Sequence, residues 1–105
     1  MVTFTDGTTT GVVTTEIVPN CGIKVIQVRV PATFTWGTDL IVVDLNDYGA
    51  TKISGFLAFE ETTAGQVIVA ATGTTAVASG VLTYNSTGSS SAGNDCGGTL
   101  IVYAY

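Results

Sequence analysis

The residues able to do chemistry in this chain are few, and nearly all are carboxylates. Asp39, Asp44 and Asp47 fall around one apolar run and the turn that follows it, and Glu60-Glu61 close a second run. Two carboxyls facing each other across a cleft are what a glycoside hydrolase needs. Oxygens from Asp44, Asn46 and Asp47 could contribute to a calcium site. Neither arrangement is specified, because no spacing makes a carboxylate pair converge and the EF-hand pattern is incomplete. The plainer expectation is that Asp47 caps a turn and that Glu60 and Glu61 are solvated at a strand end. The chain has no histidine, so it holds no Ser-His-Asp or Cys-His relay and no imidazole base. No CxxC spacing suits zinc, and no GxGxxG or Walker-type glycine loop is present. A role without catalysis, metal or cofactor is expected.

Two other residue types could act without catalysis. Cys21 and Cys96 both sit in turn chemistry, Asn20-Cys21-Gly22 and Asp95-Cys96-Gly97-Gly98. A disulfide between them would close most of the chain and add about 4–5 kcal/mol in the loop-entropy account. Free thiols are the simpler reading for two cysteines in a chain that starts Met1-Val2-Thr3-Phe4-Thr5, with no basic segment leading into an apolar one. Phe4, Trp36, Tyr103 and Tyr105 are the candidate partner-contact residues, since Trp and Tyr are enriched where surfaces meet. For Trp36 core packing is the favoured alternative to partner contact, and Phe56 or Phe59 is expected in the core. Asn85-Ser86-Thr87 fits the glycosylation sequon, but without a leader it reads as a polar loop.

The elements that must carry these residues read as β throughout. Thr, Val and Ile dominate, and their branched side chains suit a pleated surface. Val2–Thr5 ends at Asp6-Gly7, a hairpin pair. Val12–Val18 follows. Ile23–Val30 places Ile26, Val28 and Val30 on one face against Gln27 and Arg29, and Pro31 stops it. Phe34–Trp36 forms a short strand before Gly37. Leu40–Leu45 is apolar on both faces and reads as a doubly covered central strand. Asn46-Asp47-Tyr48-Gly49 makes a turn. Lys52–Phe59 alternates with Ile53, Leu57 and Phe59 on one side. Val67–Ala71, Ala76–Tyr84 and Leu100–Tyr105 complete the set, with a Gly/Ser-rich loop from Asn85 to Gly98. Short strands at this spacing predict a single all-β domain, an antiparallel β-sandwich of jelly-roll-like form. Residues 1–20 form either a Thr-rich arm or a first hairpin, and residues 21–105 form the sandwich body.

Composition narrows the partners. The chain has 105 residues, three Lys or Arg, eight Asp or Glu and a formal net charge of −5. Three scattered cations cannot neutralise a run of phosphates, which excludes ordinary nucleic-acid binding. No apolar run approaches the ~20 residues that span a bilayer as a helix. Only 10% of residues are charged, against about a quarter in an ordinary soluble domain. Charge keeps monomers apart and blocks strand edges from pairing. A chain this sparsely charged is expected to pack against copies of itself or a scaffold.

The stretch Asp39-Leu40-Ile41-Val42-Val43-Asp44-Leu45-Asn46-Asp47-Tyr48-Gly49, then Ile53-Ser54-Gly55-Phe56-Leu57 and the Thr/Ala/Gly-rich hairpins to Tyr103, resembles the small capsid decoration, or cement, proteins of tailed bacteriophages. The resemblance covers the last two thirds of the chain. It implies a β-sandwich, made in the host cytoplasm, that trimerises on the outer capsid surface of the virion and clamps adjacent major capsid proteins. It implies no catalytic residues and no cofactor. A carbohydrate-binding β-sandwich on a fibre, or a pilus or surface-layer subunit, is the rival reading.

Overall fold

The computed structural model describes residues 3–5, 13–20, 23–63, 66–87 and 97–105. Among the described residues nine strands form two sheets: β1 Thr3–Thr5, β2 Val13–Asn20, β3 Ile23–Val30, β4 Leu40–Asp44, β5 Ile53–Thr63, β6 Val67–Ala70, β7 Thr74–Ala78, β8 Val81–Asn85 and β9 Gly98–Ala104. One sheet has the order β1-β4-β8-β7 and the other β2-β3-β9-β5-β6. All pairings are antiparallel except β1 with β4, which is parallel. The architecture is the expected all-β, sandwich-like single domain.

Alternation builds the core. Ile26, Val28 and Val30 of β3 face inward with Leu100, Val102 and Ala104 of β9, and Ile41 and Val43 of β4 face inward with Leu82 and Tyr84 of β8; all are buried. The residues between them on β3 and β9 point out, as a period of two requires. The 3-10 helix Leu45–Tyr48 follows β4 at once, with Asp44 capping it by accepting from the Asn46 N–H, and Gly49 ends it at φ +75°.

Several local expectations change. β1 and β2 lie in different sheets and do not pair as a hairpin, and the expected turn at Asp6-Gly7 lies outside the described residues. Phe34–Trp36 is a turn region that drives both rings into the core. β4 is covered on one face only, with Leu40, Val42 and Asp44 half-buried on the other. In β5 a register shift between Ile53 and Gly55 reverses the alternation. Ile53, Phe56 and Ala58 therefore pack on the core while Leu57 and Phe59 turn outward. The stretch Ala76–Tyr84 is two strands, because Ser79 (φ +52°) and Gly80 (φ +75°) make a two-residue turn of the kind that matches hairpin twist.

Candidate functional site

The buried acids are structural clamps. Asp39 is 3% exposed; its Oδ2 accepts from the Thr35 N–H at 2.9 Å, and its carbonyl accepts from the Ser86 hydroxyl at 2.7 Å. That ties the 31–39 corner to the end of β8 and explains why Ser86, within the sequon, is fully buried. Glu60 and Glu61 are each 2% exposed, which overturns their expected solvation. Arg29 donates to the Glu61 carboxylate and, at 3.3 Å, to the Gly98 carbonyl. The neighbouring Gly97 carbonyl accepts from the Glu61 N–H at 3.0 Å and from the Trp36 indole at 3.2 Å. This knot fastens the start of β9 to β3, β5 and the Trp36 corner. Sequence spacing gave no sign of it, since Arg29 and Glu61 are 32 residues apart.

Trp36 is only 2% exposed, so it is a core residue and offers no surface for a partner. It packs edge-on against Phe34 (5.0 Å between centroids) and Tyr84 (6.3 Å). The Tyr84 hydroxyl donates to the Thr72 carbonyl at 2.7 Å, and burial, then the negative charge of Glu60, push its pKa up to about 12. Tyr103 is half-buried on the outer sheet face, and Tyr105 is 49% exposed. The Phe4 side chain, Cys21 and Cys96 lie outside the described residues. Asp44 is occupied in capping, and no three His, Cys, Asp or Glu cluster among the described residues.

Surface recesses occur among the described residues. One of about 620 Å³ is lined by residues including Asn46, Lys52, Ser79 and Tyr105. One of about 320 Å³ runs along Phe56–Phe59 and Ala70–Gly73 to Tyr84. Among the described residues, no Asp or Glu side chain lines either recess.

The feature with the greatest functional content is the outer face of the five-stranded sheet. Register sets Gln27, Ile101 and Leu57 in one row across β3, β9 and β5, with Arg29, Thr99 and Phe59 in the next. Val25, Tyr103 and Gly55 form a third row, and the Tyr103 ring covers Gly55 so closely that an added Cβ would stand 3.1 Å from it. Leu57 is 45% exposed and Ile68, on the adjoining β6, is 54% exposed. The one cation in these rows, Arg29, is already neutralised by Glu61. The face is thus apolar at its centre and carries no uncompensated charge in these three rows. The chain matches no family model, no curated protein and no solved structure. Its function therefore has to be argued from this face and from the strand edges beside it.

Proposed function

We propose that this chain is a structural, non-catalytic subunit that docks the outer face of its five-stranded sheet onto neighbouring proteins of a large assembly. The observation that carries this reading is the row pattern around the exposed Leu57 and the partly buried Phe59, Ile101 and Tyr103, an apolar surface whose one ion pair among the described residues, Arg29 with Glu61, is internal to the chain. Contiguous apolar surface of this kind marks a site of association. Its neutrality avoids the cost of stranding an unpaired ion in the seam. The bacteriophage resemblance supplies the setting: a capsid decoration subunit, trimeric, on the outer surface of the virion, stabilising contacts between major capsid proteins.

A carbohydrate-binding module would stack sugars on exposed coplanar aromatic rings. Burial of Trp36 and Tyr84 removes the two rings best suited to that use.

The test is association. Light scattering from micromolar to millimolar concentration, together with co-sedimentation on phage capsids stripped of their decoration protein, should show self-association and capsid binding. Leu57→Lys and Ile101→Lys should abolish capsid binding while leaving the circular dichroism spectrum unchanged. A wild-type chain that stays monomeric and ignores capsids refutes the reading.

A further inference from the structure

The ladder of the five-stranded sheet bounds how close the two cysteines can come, through the described residues they are bonded to. Cys21 follows Asn20, the last residue of β2, and Cys96 precedes Gly97, which leads into β9. Asn20 pairs with Ile23 at the start of β3. Gly98 pairs with Val30 at the other end of the same strand. Gly97 lies at that end too, since a Cβ added to it would run into the Val30 carbonyl oxygen. The two cysteines are therefore tethered to opposite ends of β3, by strands that flank it on opposite sides.

Lengths follow from the strand geometry. β3 has 8 residues, so Ile23 and Val30 are separated by about 23 Å at a rise of about 3.3 Å per residue. The sideways offsets of β2 and β9 only add to this. Adjacent Cα atoms are at most about 3.8 Å apart. If both cysteines turned straight toward each other, about 15 Å would still separate their Cα atoms. A disulfide spans only about 4.4–6.8 Å between Cα atoms. Strand coiling does not remove a gap of this size. Nor can β3 fold up to close it, because β3 is paired on both sides and Ile26, Val28 and Val30 are buried in the core.

We infer that the folded chain cannot bond Cys21 to Cys96, so that they are two separate thiols at opposite ends of the sheet and any disulfide this protein makes in its folded state joins it to another molecule. The internal bridge whose loop entropy would have stabilised the fold is instead incompatible with it. A chain bridged while unfolded is held out of the native state until the bridge is reduced. The chemistry is thiol–disulfide exchange with a small disulfide such as oxidised glutathione. A cysteine thiolate attacks one sulfur, forms a mixed disulfide, and expels one glutathione thiolate, which takes up the proton the cysteine gave up. A second cysteine within reach would then displace the other glutathione and close a bridge. Across about 15 Å that second step has no partner in the same folded molecule.

This inference does not depend on docking through Leu57 and Ile101, which has its own measurement. The test uses the whole chain. One sample is kept folded with oxidised glutathione. A second is oxidised in concentrated urea with one equivalent of it, and its bridged monomer is isolated. Both are weighed by intact mass spectrometry after acid quenching. The folded sample should contain unreacted chain or glutathione adducts, and no monomer lighter by the two thiol hydrogens. The bridged monomer from urea should fail to regain the native circular dichroism spectrum on dilution, and a reductant should restore it. Cys21→Ser, which cannot bridge, should refold from urea with or without oxidant, showing that any failure belongs to the bridge. A bridged, adduct-free monomer in the folded sample, or a bridged chain from urea that recovers the native spectrum without reductant, overturns the inference.

Discussion

Removing the Arg29 side chain should cost far more than its exposed position suggests. Its partner Glu61 is 2% exposed, whereas the Arg29 side chain is 50% exposed. Two unit charges in contact attract by about 4 kcal/mol at an effective dielectric of 20. Screening of the half-exposed guanidinium reduces this to about 2 kcal/mol. Arg29→Gln also loses the bond to the Gly98 carbonyl and leaves a buried carboxylate without its cation, so a total of about 2–3 kcal/mol is expected. Glu61→Gln leaves a cation that water can still reach, and should cost about 1 kcal/mol. The double variant should cost little more than Glu61→Gln alone, giving a coupling of about 2 kcal/mol. Urea unfolding at constant m value measures all four corners of the cycle. If the two single effects add to within about 0.5 kcal/mol, or if Glu61→Gln is the more damaging, the ion pair is not what holds this corner.

Two further outcomes follow from the same core. Tyr84 has a pKa raised from 10.0 to about 12, so the folded state holds this proton more tightly than the unfolded chain does. Its stabilisation is complete below pH 10 and falls away between pH 10 and about 12, a loss of about 2–3 kcal/mol; in Tyr84→Phe, stability measured against pH should fall less over that window by about this amount. At Gly98 an added Cβ would stand 2.2 Å from the Phe59 carbonyl oxygen and 2.7 Å from Trp36. Gly98→Ala must therefore spread β5 from β9, and thermal unfolding should register a loss at the upper end of about 1–3 kcal/mol.

What the sequence revealed was whatever alternation and punctuation carry. Ile23–Val30 is bounded as expected because its buried residues Ile26, Val28 and Val30 are β-branched and Pro31 cannot continue the ladder. The same rule fails at β5, where one extra residue near Ser54 shifts the pleat and nothing in the side-chain types announces it. Ser79-Gly80 is a recognised turn dipeptide, but the apolar residues on both sides hid it inside one apparent strand. The burial of Glu60 and Glu61 was illegible for a different reason. Two adjacent acids at a strand end look solvated until a distant Arg29 is placed beside one of them, and no local pattern encodes that pairing. For Trp36 the turn context left both outcomes open, because a turn can deliver a ring inward as readily as outward, and the structure takes the core reading over the partner-contact one.

The buried acids also sharpen the argument from composition. Counting charges along the sequence overstates what the surface displays. Of the three cations, Lys24 donates to the Tyr48 carbonyl and Arg29 is held by Glu61, which leaves Lys52 exposed. Among the acids with described side chains, Asp39, Glu60 and Glu61 are buried, Asp44 caps the 3-10 helix, and Asp47 is exposed. Among the described residues most charges are thus engaged within the fold, Lys52 and Asp47 excepted, while the outer rows around Leu57 and Ile101 carry no uncompensated one. Charge is the ordinary means of keeping β-proteins from adding to one another. The proposed docking face therefore carries, among the described residues, an ion only in the form of the Arg29–Glu61 pair, which is what the proposed association requires of it.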